Sequence, residues 1–112
     1  MAQKIPEYLF ILEMANNHMG DVKHGIHLIK TFGNICRKYP FNFALKLQYR
    51  ALDTFIHPEM KNRHDLKYVK RFSETRLSRS DFDKLIAEVR KQGFIAISTP
   101  FDLESVDLIE SQ

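Results

Sequence analysis

The sequence predicts an α/β fold of parallel strands, on three observations. Short apolar, β-prone runs alternate with segments of helical periodicity. Each run ends in a polar cluster, and the connections between runs have lengths suited to right-handed crossovers. The clusters are Glu13 followed by Asn16, Asn17, His18, Met19 and Gly20; Lys46 with Gln48; and Ser98, Thr99, Pro100, Phe101 and Asp102. Folds of this class hold ligands at the carboxyl ends of their strands, so the three clusters predict one active-site rim.

The first strand is the apolar run 8–12, bounded by Pro6 and by Asn16 and Asn17, and its continuous hydrophobicity predicts burial on both faces. After the turn residues Gly20 and Asp21, apolar side chains at Val22, Ile26, Ile29, Phe32 and Cys36 recur every three or four residues and share one helix face. Pro40 disfavours helical geometry in the residue before it, so this helix should stop near Tyr39. The second strand is 43–48. The segment from Arg50 to Arg79 contains Pro58 and a short helix over 65–72, and is long enough to form a lid. Ser80, with Asp83 three residues on, predicts the start of a helix carrying Phe82, Leu85, Ile86 and Val89 on one face, with Gly93 just past its end. The third strand is 94–97, and Asp102 caps a last helix with Val106 and Ile109 on its apolar face.

Composition narrows the classes. With 112 residues, 44% hydrophobic and 28% charged, the chain has material for one globular domain and is not disordered. Cys36 is the single cysteine, which excludes an internal disulfide and agrees with a reducing, cytoplasmic setting. The apolar stretch 8–14 is too short to span a bilayer, and no secretory leader is visible. The net charge of +3 is concentrated between Lys61 and Arg79, as expected of a solvated surface. Tyr68 and Phe72 interleave with that charge, but no RNA- or DNA-binding motif accompanies them, so no nucleic-acid partner is expected.

Several polar residues could carry chemistry. Glu13 ends an apolar strand, where a carboxylate must meet water, a cation or ligand hydroxyls. Asn16, Asn17 and His18 could bind a polar ligand or simply cap their own loop. Lys46 and Gln48 leave the same face of the second strand; Lys46 either meets an anionic ligand or pairs with Glu13. Ser98 and Thr99 place hydroxyls before Pro100, near a helix N-terminus suited to anions. His24, His27, His57 and His64 lack paired metal-ligand spacing, so no metal site is expected. Three strands and three helices leave a sheet edge and an inner face uncovered. A (β/α)8 barrel takes about 250 residues, so residues 1–112 are expected to form the N-terminal part of such a barrel, its first three β/α units, or to oligomerise to complete the burial.

In order and spacing these stretches resemble the N-terminal part of the sialic acid synthase (N-acetylneuraminate synthase) family. The matching residues are Glu13 with Asn17-His18-Met19-Gly20, then Lys46-Leu47-Gln48, then the helix ending at Gly93, then 94–102. The resemblance implies a (β/α)8 barrel that condenses phosphoenolpyruvate with an N-acetylated amino sugar such as N-acetylmannosamine, releasing phosphate. It implies a divalent metal, Mn or Mg, whose ligands lie in later barrel units; the homo-oligomer is expected from the uncovered sheet instead. By the same resemblance Glu13, Asn17 and His18 serve the amino sugar, and Lys46, Gln48 and Thr99 line the phosphoenolpyruvate site. Two departures stand out: Met19 occupies a position where Asn is usual, and Glu13-Met14-Ala15 replaces Glu-Ile-Gly. Both alter the rim and leave the main polar groups in place. On this reading 1–112 alone is inactive, and the alternative is a non-catalytic half-barrel that pairs through its open sheet.

Overall fold

The computed structural model describes residues 4–112. Strands β1 (Leu9–Ala15), β2 (Asn42–Tyr49) and β3 (Ile95–Pro100) form one parallel sheet in the order β1-β2-β3. Between them run α1 (Val22–Cys36), then α2 (Leu52–Phe55), a short 3-10 turn (Pro58–Met60), α3 (Lys67–Glu74) and α4 (Arg79–Lys91); α5 (Leu103–Ser111) follows β3. Three parallel strands with alternating helices are the architecture expected from the sequence.

Period-two alternation decides which side of the sheet is packed. Leu45, Leu47 and Tyr49 of β2 are buried against Ile29 of α1 and Phe82, Leu85, Ile86 and Val89 of α4, with Leu108 and Ile109 of α5 at the margin. Tyr49 stacks on Phe82 with ring centroids 4.2 Å apart, and burial pushes its phenol pKa up to about 12. The alternate row, Ala44, Lys46 and Gln48, lies on the opposite face, where Ala44 is fully buried and Lys46 and Gln48 are partly exposed toward the strand ends. β1 is therefore not buried on both faces as its apolar run suggested. It is an edge strand in which Phe10 and Ile11 are half exposed, because the sheet order leaves one of its sides without a neighbour.

The helix starts follow local chemistry. Asp21 caps α1 by accepting from Lys23 N at 2.9 Å, and Asp102 caps α5 by accepting from Ser105 N at 2.8 Å. Helix α4 begins two residues before the expected position. Its N-cap is Ser78, not Ser80, and Ser78 and Asp81 form a reciprocal capping box. The sequence carries two overlapping Ser-x-x-Asp pairs. The earlier one wins because it puts Leu77 before the cap and Phe82 at the fourth helical position, and both join the core.

The long connection is folded. Leu52, Ile56, Val69 and Phe72 form a second small apolar cluster, and the short helix lies at Lys67–Glu74 rather than 65–72. The C-terminal end of α3 lies directly on the β1–α1 loop: a Cβ built on Gly20 would fall 2.6 Å from the Glu74 carbonyl oxygen.

Candidate active site

The parallel register aligns the polar row across all three strands. Glu13 is the partner of Lys46, Lys46 of Ile97, and Gln48 of Thr99. Residues opposite one another in a sheet share a face, so Glu13, Lys46, Gln48 and Thr99 all lie on the uncovered side, toward the carboxyl ends of the strands. Ser98 pairs with the buried Leu47 and so belongs to the helix-covered side.

An ion pair and a hydrogen bond join three of these residues. Lys46 Nζ stands 3.4 Å from Glu13 Oε2, and Gln48 Nε2 donates to Glu13 Oε1 at 2.8 Å. The ion pair is half exposed, with side chains 32% and 40% accessible, so it contributes at most about 1 kcal/mol. Such a pair opens readily to a competing ligand. Thr99 lies beside Gln48 with its side chain partly exposed.

The loop after β1 separates the other two candidates. Asn17 is exposed and shares a groove at the outer edge of β1 with Glu13, Met19 and His24. His18 points inward, is 2% exposed, and meets Phe82 edge-on. Its Nδ1 accepts from the Gly20 backbone N–H at 3.1 Å, the local capping role weighed from sequence. Burial, reinforced by His24, lowers its pKa to about 4, so the imidazole is neutral near pH 7. With Nδ1 accepting, its proton resides on Nε2. His18 thus lies beneath the rim, in a cavity it shares with Gln48.

Arg50 was not singled out by any sequence motif, although alternation points to it: Lys46, Gln48 and Arg50 fall at successive second positions. Its Nη2 donates to Gln48 Oε1 at 3.0 Å, extending the network to four side chains. The guanidinium lies over the rings of Phe101 and Phe72, 4.0 and 4.3 Å from their centroids. Asp102 joins this corner by accepting from Ala51 N at 2.7 Å. Burial raises the Asp102 carboxyl pKa, but hydrogen bonds from Ser105 and Ala51 and the Arg50 charge bring it below the usual carboxylate range.

A strip of acceptors and cations at the ends of parallel strands can hold a ligand with both hydroxyl and anionic groups. Among the described residues no group of three or more His, Cys, Asp or Glu side chains could hold a metal ion.

Comparison with known proteins agrees with this fold. The NeuB family model matches residues 43–112. The crystal structure of spore coat polysaccharide biosynthesis protein E from Chromobacterium violaceum ATCC 12472 is similar at 60% identity and a TM-score of 0.88, over 92% of this chain and 31% of that one. Two more distant structures share the fold. N-acetylneuraminic acid (sialic acid) synthetase from Leptospira borgpetersenii serovar Hardjo-bovis, in complex with citrate, has 20% identity and a TM-score of 0.69, over 96% of this chain and 33% of that one. Spore coat polysaccharide biosynthesis protein spsE from Bacillus subtilis has 22% identity and a TM-score of 0.59, over 97% and 28%. No curated protein sequence matches the chain. The chain spans about a third of the length of these solved relatives, and its three strands match the start of their TIM-barrel-like fold. With most of its residues under the family model and a relative 60% identical over 92% of its length, the chain belongs to the NeuB family.

Proposed function

We propose that residues 1–112 form the first three β/α units of a sialic acid synthase-like barrel, and that its reaction condenses phosphoenolpyruvate with an N-acetylated amino sugar and releases phosphate. The observation that carries this reading is the row Glu13, Lys46, Gln48 and Thr99 on one uncovered sheet face. Lys46 supplies the positive charge for phosphoenolpyruvate, at present paired with Glu13 at 3.4 Å. Gln48 and Thr99, adjacent in register, donate hydrogen bonds to the same ligand. Glu13 accepts from sugar hydroxyls, which requires it to exchange the Lys46 and Gln48 contacts for the ligand. Asn17, at the edge of β1, adds an amide to the sugar side, and His18 supports the loop from beneath.

In this chemistry the enol carbon attacks the sugar aldehyde, whose oxygen takes a proton, while water adds at C2 of phosphoenolpyruvate and phosphate leaves; a divalent metal would polarise the aldehyde carbonyl as a Lewis acid. The described residues do not form a metal-binding cluster, so no step is assigned to such an ion here. The catalytic partners of this reading lie outside 1–112, and the chain by itself binds without turning over. Among the described residues no helix is long and apolar enough to cross a membrane.

The test is calorimetric titration of phosphoenolpyruvate. Lys46→Ala weakens binding at least about tenfold, the size expected for a lost charge-assisted hydrogen bond. Unchanged affinity in that variant would remove the basis of the assignment. The alternative reading, a non-catalytic half-barrel, takes a second copy as its partner through the apolar edge of β1, where Phe10 and Ile11 are about half exposed; in a closed barrel that edge is covered by the last strand.

A further inference from the structure

Arg50 is a second cation at the mouth that the reading above leaves without a ligand. Among the described residues its one side-chain hydrogen bond is to a neutral amide, Gln48, and its buried Nε has no partner. Among the described residues it makes no ion pair. Burial and the Arg71 charge disfavour its charged form, and the Asp102 carboxylate, held at Ala51 N, favours it without forming an ion pair. A guanidinium does not lose its proton to escape such a position, so it calls for an anionic partner.

The surroundings select for one. Arg50 lines a cavity of about 20 Å³ whose polar lining is Asn16, His18, Gln48, Thr75 and Arg76 and which holds no carboxylate, whereas Asp53, Glu104 and Asp107 line the larger cavity on its other side. His18 is neutral and offers a donor at Nε2. With Phe72 and Phe101 against it, the guanidinium keeps its N–H edges for an acceptor. The space admits about one oxygen atom rather than a whole phosphate. We propose that this corner is an oxyanion site distinct from Lys46, in which Arg50 receives one oxygen of a phosphate or carboxylate carried by a ligand at the mouth. Glu13 and Gln48 stand between Lys46 and Arg50 in the network, so the two cations meet different groups. The identity of that ligand rests on the synthase reading, under which the group belongs either to phosphoenolpyruvate or to an acidic acceptor sugar.

Calorimetry on the full chain distinguishes these sources, with inorganic phosphate, phosphoenolpyruvate, N-acetylmannosamine and its 6-phosphate as probes. Arg50→Gln is expected to weaken inorganic phosphate and the phosphorylated sugar about tenfold to a hundredfold, with neutral N-acetylmannosamine unaffected. If the loss falls on phosphoenolpyruvate instead, the site stands and the anion comes from that substrate. Arg50→Lys keeps the charge without the planar fork, so it recovers only part of the affinity, and it carries the test if the Gln variant does not fold. Unchanged affinity for all three anionic probes in a folded Arg50→Gln variant overturns the site. Loss of phosphoenolpyruvate in Lys46→Ala beside a silent Arg50→Gln rejects this inference and keeps the synthase reading. A silent Lys46→Ala beside an Arg50-dependent phosphate does the reverse.

Discussion

Ala15 and Met19 are the non-glycine residues with positive φ among those described, at 48° and 59°. Ala15 sits where the β1–β2 register shifts by one residue, the kind of irregularity glycine commonly fills. Left-handed geometry costs an ordinary L-residue roughly 1 kcal/mol. The two departures from the family pattern noted in the sequence, Ala for Gly and Met for Asn, therefore fall on the two strained positions of this loop. Ala15→Gly and Met19→Asn should each raise stability by about 0.5–1 kcal/mol in urea unfolding. Gly20→Ala should lower it by about 2 kcal/mol or more, because φ is 72° and the new Cβ would meet the Glu74 carbonyl. His18 gives the loop a pH dependence. Its folded pKa of about 4 lies below the ordinary 6.5, so the unfolded chain binds the proton first as pH falls. Stability is full above pH 6.5 and declines toward pH 4, by up to about 3 kcal/mol. Thermal melts of His18→Gln should show a flatter slope across that window.

Helices α1 and α4 meet where a side chain is missing. A Cβ on Gly25 would lie 2.8 Å from Leu85 Cδ2 and 3.1 Å from His18 Cβ, both in the packed interior. Gly25→Ala should thus lose about 1 kcal/mol, although alanine at an exposed helical site gains a similar amount. At the start of α4, Ser78→Ala should cost about 1 kcal/mol while Ser80→Ala costs a few tenths or less, read from the shift in thermal midpoint. The same helix shows why its boundary was hard to read. Local sequence offered two equivalent Ser-x-x-Asp caps, and the choice depended on where Leu77 and Phe82 find the sheet. Strand β1 misled for a similar reason: its continuous apolar run describes what the residues prefer, whereas its exposure is set by having a neighbour on one side only.

Across the whole molecule, one sheet face is packed and the other is open. Helices α1, α4 and α5 cover the row Leu45, Leu47 and Tyr49, and the opposite row carries Lys46 and Gln48. The folded connection 50–79 adds a cluster of its own and rests on the β1–α1 loop, placing Lys67, Lys70 and Arg71 beside Asn16 and Met19. These charges favour approach of anions, so phosphoenolpyruvate binding should weaken as salt rises. If copies associate through the edge of β1, light scattering should show concentration-dependent mass, and Ile11→Lys should shift it toward the monomer. A monomer at all concentrations in the unsubstituted chain would dismiss that partner.

The alternation of apolar runs and helical periods was enough to predict the parallel α/β class, the order of strands and helices along the chain, and the polar row, because a repeat of two or 3.6 residues acts over a few neighbours. Glu13, Lys46, Gln48 and Thr99 were legible as strand-end residues for that reason. Their meeting depended on register, which pairs residues more than thirty positions apart and is fixed only when the strands lie side by side. The burial of His18, the unpartnered Nε of Arg50 and the left-handed backbone at Ala15 were likewise decided by packing, since each depends on what a distant segment brings against it.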